Sequence, residues 1–321
     1  MKTIEQVLSS GRAFYVDEIA CMDHARVIHS YQRPVELFDW SGEPKHIQFA
    51  FKVAFISVCH QFNWDYLQSS ISKYLLGDPT DIVNKLRNTK STSIDELLKD
   101  YPKQERVRSK ERAALLRDVG NVINLDFGGC LQRFYEKASS LSIQNGDFHS
   151  FMDRFEGYRT DSLRKKTNVL THDLLKEGIV GFRPNEDVLP AIDYHIMRLY
   201  LRTGRVIPSD KVVFKFLTGS PNPRGALVKS LREAVSEAEV LTAYYSGLSV
   251  ADVNYIEWQV GRSICLNDDP FCDREIIGKA LPDDIASICS NHCPYSESCL
   301  AFNTDRRFIL FEEPDYISTN Y

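Results

Sequence analysis

The chain has 321 residues, 43% of them hydrophobic and 26% charged, the make-up expected of a globular protein with ample core for one large or two smaller domains. Its net charge of −5 is uneven: from Cys265 onward there are 4 Lys and Arg against 11 Asp and Glu, while residues 1–264 carry 35 against 33. The body is near neutral and the acidity belongs to the tail, a balance that excludes neither a nucleic-acid nor a small-molecule partner. The opening MKTIEQVLSSGR lacks a long apolar core. The most apolar run, Phe49 to Phe62, is interrupted by Lys52 and His60 and is too short to span a bilayer. The expectation is a cytoplasmic monomer with no membrane partner.

In chain order, the first hundred residues read as helices over Thr3–Ser9, Val16–Tyr31, His46–His60 and Trp64–Leu75. Between the last two lies HQFNWDY, whose Phe62 and Trp64 are either a core edge or a wall on which a base or sugar could stack. Residues 77–106 are polar and turn-rich, which suggests a mobile connection. Ser109 is placed to cap a helix through Leu116, Val119 and Ile123, and Gly128-Gly129 breaks the pattern before another helix. Then FMDRFEGYRTDSLRKKTNVLTHDLL gives helix, a tight turn near Gly157, and helix again, the minimum of a helix-hairpin-helix. No segment alternates convincingly at period two and no repeat is visible. The fold class is all-α, with an N-terminal helical region (1–106), a core (107–264) and a C-terminal loop and tail (265–321).

The stretch from Asp187 to Arg205 organises the rest. Pro190 marks a turn, and Ile192, Ile196, Leu199 and Tyr200 follow at helical spacing. Asp193 sits in the first turn, where the partial positive charge and unpaired N–H groups of a helix start favour an ionised acid. It is either a capping residue or an anionic catalytic group at the mouth of a cleft. The cysteines divide in two. Cys21, Cys59 and Cys130 are scattered among apolar residues, whereas Cys265, Cys272, Cys289, Cys293 and Cys299 crowd into 35 residues. Without a secretion signal, such crowding suggests metal or cluster ligation more than disulfides.

Hairpin, Pro-x-x-Asp and distal cysteines in that order resemble the helix-hairpin-helix DNA glycosylase superfamily, in which an aspartate opens the next helix in a context like V-D-x-H-x-x-R. The sequence here is Ile192-Asp193-Tyr194-His195-Ile196-Met197-Arg198. The resemblance implies that Asp193 is the catalytic carboxylate. Gly261-Arg262-Ser263-Ile264-Cys265 and Cys293-Pro294-Tyr295-Ser296-Glu297-Ser298-Cys299 look like the first and last ligands of the [4Fe–4S] motif in the endonuclease III and adenine-mismatch branches. The middle departs from that motif, because Cys289 precedes Cys293 by three intervening residues rather than two. The favoured ligands are Cys265, Cys289, Cys293 and Cys299, with Cys272 as the alternative to Cys289. Four thiolates suit iron–sulfur or tetrahedral zinc on chemistry alone, and the superfamily favours iron–sulfur.

A second resemblance, over residues 45–265, is to the queuosine salvage proteins, which are nucleotide N-glycosylases. It rests on Glu111-Arg112 through Gly120, on Leu163 through Leu170, on Ala191 through Met197 and loosely on His60–Trp64. Both resemblances imply hydrolysis of the bond between a base and C1′ of its sugar, with Asp193 stabilising positive charge on the sugar and positioning the water. Tyr158, Tyr194, Phe62 and Trp64 are candidates for stacking on the base, and Lys165 for holding substrate. Where bifunctional relatives place a lysine nucleophile this chain has Asp161, so a monofunctional hydrolase is expected. The leading reading is a DNA glycosylase removing a modified base, such as a hypermodified base of phage DNA in a defence role. A queuosine-type nucleotide hydrolase and a non-catalytic DNA-binding protein are the alternatives. The acidic loop residues Asp268, Asp269, Asp273, Asp283 and Asp284 count against a DNA surface there.

Overall fold

The computed structural model describes residues 11–32, 38–40, 42–181, 188–219, 225–272, 281–289 and 292–304. The helix expected over Thr3–Ser9 and the loop residue Asp273 lie outside them. The described chain is mostly helical, as expected, with one small two-stranded sheet. It divides into two compact units, one built from the first 35 residues together with the chain from Leu189, the other from the residues between. The boundaries between these units fall near residues 36 and 188. The N-terminal segment joins the C-terminal half because its strand and helix pair with elements found there.

That segment begins with strand β1 (Phe14–Val16) and helix α1 (Glu18–Ile28). The periodicity predicted one helix over Val16–Tyr31. Asp17 starts it later, because its carboxylate accepts the Ala20 N–H and leaves the preceding residues extended.

The second unit is organised on α2 (Lys45–Val58), which is buried on all faces, as an all-round apolar helix must be. Helix α3 (Trp64–Leu76) is capped by Asn63 through the Tyr66 N–H. The expected mobile connection over 77–106 is instead two short helices, α4 (Ile82–Arg87) and α5 (Ser91–Leu97), flanked by single 3₁₀ turns. Four of its apolar residues, Ile82, Leu86, Ile94 and Leu98, are fully buried and anchor the polar remainder. Helix α6 (Ser109–Phe127) is not capped by Ser109. Arg108 takes the cap position in left-handed conformation, and the Ser109 hydroxyl turns to Asp95. Gly128 and Gly129 end α6 as expected, both at positive φ, and α7 (Leu131–Ser139) follows.

The expected hairpin differs in detail. After α8 (Asp147–Met152), Gly157 lies inside a one-turn helix, α9 (Glu156–Arg159), not in a turn. A Cβ at Gly157 would stand 3.0 Å from the Ser57 Cβ, so the glycine serves close packing of α9 on α2. The turn is glycine-free: Asp161 accepts the N–H groups of Leu163 and Lys165 and starts α10 (Lys165–Lys176). Lys52, deep in α2, is buried against Asp173 at 2.8 Å and Glu177 at 2.5 Å, both on or just past α10. No described helix is long and apolar enough to cross a membrane.

The first unit resumes with α11 (Tyr194–Thr203) and strand β2 (Val206–Pro208), antiparallel to β1 with Tyr15 opposite Ile207. Three-residue strands are too short to register as alternation. Helices α12 (Lys211–Gly219), α13 (Gly225–Ser246) and α14 (Val250–Ser263) follow, then the short α15 (Asp283–Cys289) and α16 (Leu300–Asn303). Helix α13 packs against α1, and α11 against α14.

Candidate functional site

Asp193 is the N-cap of α11. Its backbone is extended (φ −117°, ψ −176°), its Oδ1 accepts the Ile196 N–H at 3.1 Å, and its carbonyl accepts the Met197 N–H at 2.9 Å. The residue is 4% exposed. Among the described residues no hydrogen bond reaches Oδ2. One carboxylate oxygen therefore holds the helix start while the second stays available, so capping and chemistry are compatible in one side chain.

The helix that Asp193 opens is held from behind by two arginines one turn apart. Arg198 donates to the carbonyls of Cys265 (2.8 Å) and Gly261 (2.7 Å), and to His195 Nδ1 (2.9 Å). A guanidinium only donates, so Nδ1 is the acceptor and the ring proton of a neutral His195 sits on Nε2. A Cβ at Gly261 would stand 2.7 Å from the His195 carbonyl oxygen, so only glycine permits this approach of α14 to α11. Arg202 donates to the carbonyls of Leu266 (2.5 Å) and Asn267 (2.6 Å) and to Cys265 Sγ (3.5 Å), while its own carbonyl accepts from Cys299 Sγ at 3.3 Å. These bonds tie the start of the cysteine segment, and Cys299, to the helix whose first residue is Asp193.

Below them lies a buried polar network that the sequence did not reveal. Arg205 forms a paired salt bridge with Glu257, and the Tyr295 hydroxyl donates to the same carboxylate at 3.1 Å. Glu239, fully buried, accepts from Asn254 at 2.8 Å. Burial pushes its carboxyl well above the usual carboxylate range, the hydrogen bond from Asn254 opposing that shift.

Cys265, Cys289, Cys293 and Cys299 are buried and Cys272 is half-buried. Burial raises the Cys289 thiol to about 12; it also raises Cys293, on which the charges of Cys265, Cys272 and Cys299 then act in the same direction. Cys272 also lines an open depression of about 360 Å³ with His292, Ser296, Glu297, Phe302 and Asn303. The two expected ligand sets share Cys265, Cys293 and Cys299, and Cys272 is among the thiols whose charge reaches Cys293. The donor chemistry fits a thiolate-held metal or cluster, whose binding would have to displace the thiol protons. Among the described residues, however, no three His, Cys, Asp or Glu side chains stand close enough together to hold a metal ion.

The remaining sequence candidates fall in the other unit, except Tyr194, which is half-buried with its ring 4.1 Å from that of His195. Tyr158 is a core residue: it is buried and its hydroxyl donates to the Val53 carbonyl at 2.7 Å, which leaves no ring face for a base. Phe62 is stacked on Tyr101 at 3.7 Å and carries the Arg112 guanidinium 4.7 Å from its centre. Trp64 meets Phe55 edge-on at 4.6 Å and donates its indole N–H to Gln68. All three pack within their unit. Lys165 opens α10, half-buried. Its neighbour Lys166 is buried against the Ser57 carbonyl, and burial pulls its amine down to about 8. Also unforeseen is His60, fully buried 2.6 Å from Glu111, which burial keeps neutral by lowering it to about 3.

No known family's sequence profile matches the chain, and no curated protein matches it.

Proposed function

We propose that the protein is an N-glycosylase that hydrolyses the bond between a modified base and its sugar, with DNA as the leading substrate. The observation that carries this reading is Asp193: a carboxylate held at a helix N-terminus through one oxygen, with the other unengaged by the described residues. Cleavage of the C1′–N bond sends the bonding pair to the base and leaves positive charge on the sugar ring. A fixed carboxylate opposite that charge lowers the barrier. Its free oxygen can also accept the proton of the water that attacks C1′. The leaving base takes up a proton from solvent or a neighbouring donor.

The reaction is read as monofunctional. Asp161 takes the place expected of a lysine nucleophile and is engaged as a helix start, while the buried Lys166 amine is committed to a carbonyl. Cys265, Cys293 and Cys299, with Cys272 or Cys289, are the residues that would hold a [4Fe–4S] cluster or zinc. Such a group would supply cross-linking of the C-terminal segment and takes no part in bond breaking.

A queuosine-type nucleotide hydrolase is the second reading, favoured by the acidity of the segment that contains Asp268, Asp283 and Asp284. The test is to incubate the protein with DNA carrying modified bases, phage DNA included, and separately with queuosine 5′-monophosphate, and to read the released base by mass spectrometry. Release from DNA alone, leaving alkali-labile sites, supports the first reading, and release from the mononucleotide alone supports the second. No release from either removes both and leaves a DNA-binding protein without activity.

A further inference from the structure

Asp193 presents its carboxylate from a buried stretch of chain. Val188, Pro190, Ala191, Ile192 and Asp193 are all buried, and none lies within a helix or strand. The carbonyls of such a stretch need partners from elsewhere in the fold. For Ile192, the residue before Asp193, the described donor is Arg232, whose Nη2 reaches the carbonyl at 3.3 Å. That carbonyl belongs to the planar peptide joined to the Asp193 Cα, so the bond fixes the plane from which the side chain departs.

Three contacts then define the direction of the carboxylate. Arg232 holds the peptide that enters Asp193, the Met197 N–H holds the carbonyl that leaves it, and the Ile196 N–H holds Oδ1. The last two come with the helix start itself; the first is supplied from another element. Arg232 lies in α13, a helix of 22 residues that packs against both α11 and α14. It is 5% exposed, and the residues one turn to either side, Val228 and Val235, are apolar and buried. An apolar side chain would suit that face, and a guanidinium is kept in such a place by the hydrogen bonds it makes. Arg198 and Arg202 grip the later turns of α11, whereas Arg232 acts ahead of Asp193.

We propose that Arg232 is the positioning residue for Asp193: it fixes the entering peptide and through it aims the second carboxylate oxygen at the sugar carbon. Its effect on the reaction rests on the glycosylase reading, and its effect on the Asp193 cap does not. Without that donor the Ile192–Asp193 peptide can turn, the cap loosens, and Oδ2 loses its aim. Misplacing a reacting group by about 1 Å costs about 10²-fold in rate.

Arg232→Met and Arg232→Lys are compared with wild type in the full chain by two readouts. The first is hydrogen exchange at the Ile196 amide, the donor to Asp193 Oδ1, which needs no substrate. Exchange there should quicken about tenfold or more in Arg232→Met and return toward wild type in Arg232→Lys, while the amide of Val260 in α14 is unchanged. The second is base release from the substrate that wild type cleaves. Arg232→Met should lower kcat by about 10²-fold with KM held within about twofold, and lysine should recover much of the loss. If Arg232→Met does not fold, Arg232→Gln, whose shorter amide falls short of the carbonyl, takes its place. Unchanged exchange at Ile196, or exchange that rises equally at Val260, would overturn the proposal, as would full kcat in the Met variant of an active protein. A wild type that releases no base removes the glycosylase reading instead, and the Ile196 amide then decides whether Arg232 positions Asp193.

Discussion

Replacing Arg205 by Met removes the cation beneath the helix that Asp193 caps. Both Arg205 and Glu257 are fully buried, joined by bonds of 2.6 and 3.0 Å, and the Tyr200 ring lies 3.7 Å from the guanidinium carbon. Burial alone would lower the arginine, yet the Glu257 carboxylate outweighs it and holds the guanidinium well above its ordinary value. Arg205→Met leaves that carboxylate in the interior with Tyr295 as its described donor, and stranding a buried charge costs about 3–5 kcal/mol. Glu257→Leu strands the guanidinium at similar cost. The double variant removes both charges together and should lie within about 1–2 kcal/mol of wild type, since an apolar pair of similar volume often replaces a buried ion pair without loss. The single losses then exceed the double by several kcal/mol, the mark of direct coupling. Urea unfolding with an unchanged slope is the assay. A loss below about 1 kcal/mol for Arg205→Met, or additive single losses, would refute the reasoning.

Gly157→Ala should cost about 1–3 kcal/mol, because its Cβ would press on the Ser57 Cα and carbonyl oxygen at 3.2 Å; a neutral change in thermal unfolding would place that helix further from α2. Lys166 releases its proton near pH 8 when folded and near 10.5 when unfolded, so the unfolded chain binds more protons between those values. Its contribution should make stability rise with pH there, by up to about 1.4 kcal/mol per unit. Lys166→Met should lack that rise, and equal slopes in both proteins would refute the assignment. Glu239→Gln preserves an acceptor for Asn254 and, because burial already disfavours the charged carboxylate, should change stability by less than about 1 kcal/mol, whereas Glu239→Ala should cost more. Equal losses in chemical unfolding would show that charge, not the hydrogen bond, matters at that position.

Local signals were legible in the sequence, and distant partners were not. The spacing of Ile192, Ile196 and Leu199 revealed a helix opened by Asp193, and Gly128-Gly129 its counterpart stop on α6. The polar run 77–106 hid its helices because four buried side chains suffice to anchor it. The fault at Gly157 is instructive: a glycine between helical segments reads as a turn, yet here its missing Cβ admits Ser57, a residue one hundred positions earlier. Arg198 was visible only as part of a motif, and nothing in the sequence singled out Arg202 or Arg205. Their partners, Cys265, Leu266, Asn267 and Glu257, lie more than fifty residues away, beyond any periodicity. The aromatic candidates were open for a related reason, since nothing local distinguishes a Phe62 that stacks on Tyr101 from one that awaits a base.

The central claim is that Asp193 both caps its helix and performs the chemistry, and Asp193→Asn separates the two. Asparagine caps a helix about as well as aspartate, so stability should hold within about 1 kcal/mol, while base release from the active substrate should fall by about 10²-fold or more. Asp193→Ala should lose both activity and about 1 kcal/mol. Release by Asp193→Asn at the wild-type rate would contradict the account and leave Asp193 a cap alone.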